Sequence, residues 1–168
     1  MNTINEFDTE AGKWILLFNA FCNKHGLKNI ARPDHICYKC DSAETFETLR
    51  RLFEAASDFI YQSIISKRRI AYIRFKEALE TDIGAIRYLE LSDQKPDGSQ
   101  TSRFDHIELY SFAVSYEELV GKLEKEGETV VKEERPHHTT HGIEIGDGFS
   151  ARLTRGPLIA KIKQEEML

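Results

Sequence analysis

Asp34-His35-Ile36-Cys37-Tyr38-Lys39-Cys40 and Phe104-Asp105-His106-Ile107-Glu108-Leu109-Tyr110-Ser111-Phe112 are the stretches that decide the fold. Both carry Asp-His-Ile, and both alternate side to side as a β-strand does. His35, Cys37 and Lys39 fall on one face of the first; Ile36, Tyr38 and Cys40 fall on the other. In the second, Glu108 shares the face of His106. The same alternation sends Asp34 and Asp105 to the faces opposite their histidines, where structural work is expected of them rather than ligation.

Outward from these strands the order of elements repeats. After the first, Ser42 is placed to cap a helix through about Ala56, with Phe46, Leu49, Leu52 and Phe53 in one apolar stripe. Residues 59–65 and 70–75 then read as a hairpin around Lys67-Arg68, and residues 84–93 as a further strand. After the second, Ser115 caps a helix that Gly127 closes. Residues 128–134 follow as a strand, and residues 141–145 and 149–154 flank the turn Gly146-Asp147-Gly148. Near the module ends, Leu89-Glu90-Leu91-Ser92 lines up with Ala151-Arg152-Leu153-Thr154. The expected fold is therefore α+β: two βαβββ modules, residues 31–95 and 96–168, pairing as a cleft-enclosing sheet. The second module carries a short helix from Pro157. Residues 1–30 form a leading helix, over about Thr9–His25, with Asp8 or Thr9 as cap and Gly26 at a left-handed C′ position. All of it is expected to share one core.

The totals set bounds on function. A chain of 168 residues buries enough surface to fold without disulfide or metal. Its 40% apolar and 30% charged residues describe an ordinary soluble protein. A net charge of −5 argues against a nucleic-acid partner, which wants a concentrated basic face. No apolar run approaches the ~20 residues of a membrane span. The first residues lack a basic stretch followed by an apolar one, and Cys22, Cys37 and Cys40 fit a reducing compartment. The expected location is cytoplasmic, away from membrane.

A histidine opening each duplicated strand places two imidazoles near one pseudo-twofold axis. Imidazole is the commonest side-chain ligand for transition metals, and strands hold it rigidly. Glu90, on the closing strand of the first module, adds a carboxylate. Two histidines and a carboxylate with open positions suit a divalent transition metal such as Zn, Ni, Mn or Fe. Glu108 is a further ligand or a general base, and Cys37, in the equivalent place after His35, is a soft ligand or a lining residue. Arg152, at the duplicate position of Glu90, cannot ligate. It either pairs with Glu90 or Glu108, or grips a substrate carboxylate or phosphate. The thiols of Cys37 and Cys40 face opposite sides of a strand, unlike a redox pair. His137, His138 and His141 form a second cluster, which reads as a solvated loop ahead of a rim ligand set or a pH-sensitive lid.

The paired modules with these histidines resemble the vicinal oxygen chelate superfamily, which includes glyoxalases and extradiol dioxygenases, and within it the YecM family. The resemblance is carried by residues 34–40, 88–93, 104–112 and 146–154, and extends over most of residues 9–165. It implies a divalent metal at the axis, held by His35, Glu90 and His106, that chelates two adjacent substrate oxygens and stabilises an enolate or oxyanion. The fourth position, commonly glutamate, is Arg152 here. The expected function is a metal-dependent lyase, isomerase or dioxygenase-like enzyme acting on a small anionic metabolite, with Glu108 as base and Arg152 as anion holder. The competing expectation is a non-catalytic module that binds a small molecule in the same groove without metal. Monomer and homodimer are both compatible with the sequence.

Overall fold

The computed structural model describes residues 1–134 and 139–166. The chain opens with helix α1 (Ile4–Lys24) and a single 3-10 turn, Leu27–Asn29. The first module follows as β1 (Ala31–Lys39), α2 (Ala43–Glu54), β2 (Ile60–Ile65), β3 (Arg68–Thr81) and β4 (Gly84–Ser92). The second is β5 (Arg103–Ser111), α3 (Tyr116–Lys125), β6 (Val131–Glu134), β7 (Thr139–Gly146) and β8 (Phe149–Thr154), and α4 (Leu158–Glu166) is the last described element. The described strands form one sheet in the order β2-β3-β4-β1-β5-β8-β7-β6. β1 and β5 meet antiparallel at its centre, and each has its own module's last strand, β4 or β8, parallel on its outer side. The α+β architecture of two βαβββ modules is the expected one.

Local chemistry explains the elements. Ser42 accepts the Thr45 N–H and caps α2. Ser115 and Glu118 form a reciprocal capping box on α3. Asp147 and Gly148 both take positive φ, as a two-residue hairpin turn with the twist of its strands requires. Ser66 and Lys67 do the same in the other hairpin, so that turn lies one residue earlier than expected. Helix α1 begins at Ile4 and not near Thr9. Thr3 Oγ1 accepts the Glu6 N–H at 3.1 Å, and Phe7, with no exposure, adds an anchor that favours the extra turn. β3 runs on to Thr81 because its far half pairs with the start of β4 past a register shift.

One face of the sheet packs on helices. Ile36, Leu89, Leu91, Ile107, Leu109, Ala151 and Leu153 meet Phe46, Leu49 and Phe53 of α2, Leu119 and Leu123 of α3, and Phe7, Ala11 and Phe18 of α1. Alternation then turns Cys37, Glu90, Glu108 and Arg152 to the opposite face. That face has its own small apolar cluster, where Ile159 and Ile162 of α4 pack on Ile70 and Tyr72.

Candidate metal centre

The register of the sheet assembles the site. Cys37 is the strand partner of both Glu90 on β4 and His106 on β5. Glu108 is the partner of Arg152 on β8. Two register shifts then place the histidines. Between Pro33/Leu109 and Ile36/Ile107, both Asp34 and His35 face the single residue Glu108. Between Cys37/His106 and Tyr38/Phe104, Asp105 is the extra residue. Each Asp-His pair is thus a β-bulge, in which two residues oppose one and a side chain is re-aimed.

The bulges correct the expectation that the aspartates face away from their histidines. Asp34 Oδ2 lies 2.8 Å from His35 Nδ1, and Asp105 Oδ2 lies 2.9 Å from His106 Nδ1. Strict alternation fails because the extra residue shifts the phase of the strand. The signal was present in sequence. Phe104 lies in the helix-side core, as do Ile107 and Leu109, although one is even-numbered and the others odd. Ala31 against Ile36 and Tyr38 gives the same parity switch in β1.

Each carboxylate holds a ring Nδ1 and presents Nε2 to the cleft, the way metal-ligating histidines are usually oriented. Suitable ligand atoms of His35, Glu90 and His106 lie within 4.8 Å of one another. Glu90 Oε2 is 3.4 Å from His35 Nε2 and accepts the Tyr72 hydroxyl at 2.8 Å. Glu108 sits between the rings, one oxygen 4.0 Å from His35 Nε2 and the other 3.9 Å from His106 Nε2. His35 Nε2 is buried with no hydrogen-bond partner among the described residues. An imidazole nitrogen without a hydrogen bond but with two carboxylates beside it fits a cation.

Arg152 breaks the symmetry. Its guanidinium donates to His106 Nε2 at 3.1 Å and pairs with Asp105 at 3.7 Å and Glu133 at 3.4 Å. These described ion pairs do not include Glu90. Gly142 is the strand partner of Arg152 where Tyr72 is the partner of Glu90. A side chain there would crowd Glu133, since a Cβ would stand 3.0 Å from its Oε1.

The charges follow the broken symmetry. Burial works against ionisation of His35, but Glu108, Asp34 and Glu90 around it raise its pKa well above the usual imidazole range. Burial and then the neighbouring Arg152 push His106 down to about 4, so its ring is neutral and accepts from the guanidinium. Burial opposes ionisation of Glu90 too, yet His35, His106 and the Tyr72 hydroxyl hold its carboxyl well below the ordinary range. Burial raises Glu108, assisted by Glu90 and resisted by His35 and Arg152. The side chains of His35, His106, Glu108 and Arg152 keep 0, 1, 6 and 9% of their exposure against 16% for Glu90, so solvent reaches the site best beside Glu90.

Outside this centre the expectations separate. Cys40 joins the apolar core on the helix side, so it and Cys37 do face opposite ways. His141 lies 2.5 Å from the hydroxyl of Tyr116 on α3, and so contributes nothing to the cleft. His137 and His138 lie outside the described residues. Sequence reading missed Tyr72 and Glu133, since only strand pairing brings them to the site.

The family model of the YecM protein matches residues 14–147. The chain belongs to the YecM family. No curated protein matches its sequence. Among solved structures, one titled Protein EC4020 superposes with a TM-score of 0.75 at 16% identity, covering 96% of this chain and 92% of that one. A methylmalonyl-CoA epimerase in complex with methylmalonyl-CoA and an ammonium ion gives 0.50 at 17% identity, covering 77% of this chain and 97% of its own. A Streptomyces coelicolor methylmalonyl-CoA epimerase variant with 2-nitronate-propionyl-CoA gives the same values. At these identities the likeness is one of fold. This YecM-family chain has the paired-module fold of the vicinal oxygen chelate superfamily.

Proposed function

We propose that this protein holds a divalent transition metal (Zn, Ni, Mn or Fe) through His35, Glu90 and His106. There it would act on a small anionic metabolite as a lyase-, isomerase- or dioxygenase-like enzyme. The observation that carries this reading is the orientation of both imidazoles. Each Nδ1 is held by its own aspartate, and His35 Nε2 is buried, without a hydrogen bond and 3.4 Å from the Glu90 carboxylate. Without a metal the surrounding carboxylates favour a proton on that ring, and a bound divalent cation would take the proton's place.

When bound, the metal supplies a Lewis acid that stabilises negative charge developing on substrate oxygens. The chain's own residues do the rest. Tyr72 fixes the Glu90 carboxylate. Glu108, whose carboxyl burial raises above its ordinary value, is placed between both imidazoles to accept a substrate proton. Arg152 holds a substrate carboxylate or phosphate, since its Nε is buried without a partner among the described residues. His106 ligates once the guanidinium gives up its Nε2 contact, while Asp105 and Glu133 keep Arg152 in place.

Metal analysis of the purified protein, beside the His35→Ala and His106→Ala variants, tests this reading. Near-stoichiometric metal in the wild type and loss in both variants is the expected result. Wild-type metal no higher than background would overturn it. That outcome favours the second reading, a metal-free binding groove, whose supporting observation is the Arg152 contact that already occupies the His106 lone pair.

A further inference from the structure

We infer that the Glu133 carboxylate fills the anion position beside Arg152, and that a ligand bearing one carboxylate binds by replacing it. The inference rests on the anion-holding role proposed for Arg152. It names the ligand class and the internal group that competes for the place.

The two modules differ most at this corner. In the first, Tyr72 is the strand partner of Glu90 and its hydroxyl bonds the carboxylate. In the second, Gly142 is the strand partner of Arg152 and brings no side chain. Glu133 reaches into the room this leaves. One of its carboxylate oxygens would lie 3.0 Å from a Cβ at position 142, and the other is 3.4 Å from the guanidinium. The space over Gly142 therefore accommodates a carboxylate in contact with Arg152.

Arg152 has more to give than Glu133 takes. Its Nε is buried with no hydrogen bond among the described residues. Thr140, the strand partner of Glu133, is fully buried on the same face as Gly142. Its hydroxyl likewise has no partner among the described residues. The two oxygens of an incoming carboxylate can take Nε and an Nη together, whereas Glu133 leaves Nε unmet.

Of the two carboxylates paired with Arg152, Glu133 is the replaceable one. Asp105 keeps 7% of its side-chain exposure and is committed to His106, Lys39 and Arg103. Glu133 keeps 33% and stands on β6, the four-residue strand at the outer edge of the described sheet. Charge then sets the ligand class. Arg152 is one cation paired with Asp105 and Glu133, and Glu108 is its partner on the next strand. A monocarboxylate replaces Glu133 charge for charge. A phosphate monoester carries about −1.5 to −2 near neutral pH and would add negative charge beside Asp105 and Glu108. While Glu133 holds the place, the observed affinity is the intrinsic one scaled by the fraction of molecules in which it has withdrawn.

Titration of the full-length chain with acetate and with methyl phosphate tests this, read on the Arg152 Nε–H signal in nitrogen-15 spectra. Arg152→Lys identifies that signal. Chelator treatment beforehand makes the result independent of whether His35, Glu90 and His106 hold a metal. Glu133→Gln and Glu133→Ala are expected to bind acetate about tenfold or more tightly than wild type, and to prefer it to methyl phosphate. Glu134→Gln, which removes the same charge from an exposed neighbour, is expected to bind as wild type does. Circular dichroism reports whether each variant folds. Acetate affinity unchanged or lowered in both Glu133 variants, or an equal gain in Glu134→Gln, overturns the competition. Methyl phosphate bound as tightly as acetate overturns the carboxylate assignment. A signal that no anion shifts in any of the proteins overturns the anion role of Arg152 itself, while metal analysis decides the centre separately.

Discussion

At the residue scale the centre depends on two aspartates that touch no substrate. Asp34 and Asp105 each hold a ring Nδ1, so that Nε2 is the nitrogen turned toward the site. Asp34 also accepts the Leu158 N–H at 3.1 Å and so ties the start of α4 to the site. Asp34→Asn keeps the shape and removes the charge. We expect it to fold and to bind metal roughly 10–100-fold more weakly, because losing a carboxylate behind a ligating histidine costs about that much. A competition titration against a chelator measures it; unchanged affinity would leave His35 oriented by the backbone alone. The histidines were legible in sequence because duplication writes them twice, and Glu90 because it stands on the strand that closes the first module. The partners of Arg152 were not, since Asp105 turns inward only through its bulge and Glu133 arrives from a separate strand.

At the element scale, helix α1 lies outside the duplication yet contributes much of the core. Phe7 has no exposure, and its ring meets Phe53 at 4.8 Å, Phe104 at 5.0 Å, Phe75 at 6.0 Å and Tyr38 at 6.2 Å. It therefore joins α1 to both modules. Phe7→Ala is expected to lower stability by about 3–5 kcal/mol, the range for a buried aromatic that leaves a cavity. Leu16→Ala on the outer side of the same helix, where Leu16 is 71% exposed, should stay within about 0.5 kcal/mol. Denaturant midpoints at constant m-value compare the two. Similar losses in both would mean that α1 contributes through helix formation and not through packing. The apolar spacing of residues 14–22 revealed this helix, but its first turn depends on the Thr3 cap and the buried Phe7. Those two lie ahead of the repeating stripe, and periodicity alone does not reach them.

At the scale of the whole molecule, the two faces of the sheet divide the labour. The helix side holds the fold together, while the opposite side carries the charges and is packed over β3 by Ile159 and Ile162 of α4. Ile159 and Ile162 retain 7 and 5% exposure against Ile70 and Tyr72, and Tyr72 holds Glu90. Removing residues 157–168 should leave the sheet intact and cost roughly 3 kcal/mol or more, from two isoleucine side chains returned to water. It should also raise binding of an apolar dye, since Ile70 and Tyr72 become accessible. Far-ultraviolet circular dichroism, thermal unfolding and dye fluorescence read the three effects. A truncated chain with native dye binding would show that α4 covers nothing the sheet leaves open. The module order was legible from the repeated strand-helix-strand pattern. The place of α4 was not, because a short tail helix carries no sign of which face of a sheet it will cover.

The paired bulges have a consequence for how this chain can change. Before Asp34 the core side of β1 is read by odd positions, and after His35 by even ones; β5 switches the opposite way around Asp105. Each Asp-His pair is therefore a frame-shifter in the geometry of the strand. Exchanging one of its side chains alters chemistry and leaves every neighbour on its own side. Deleting a single codon there would turn half a strand inside out. Length at these two points is thus a stricter geometric requirement than side-chain identity, and the spacing and the site stand or fall together.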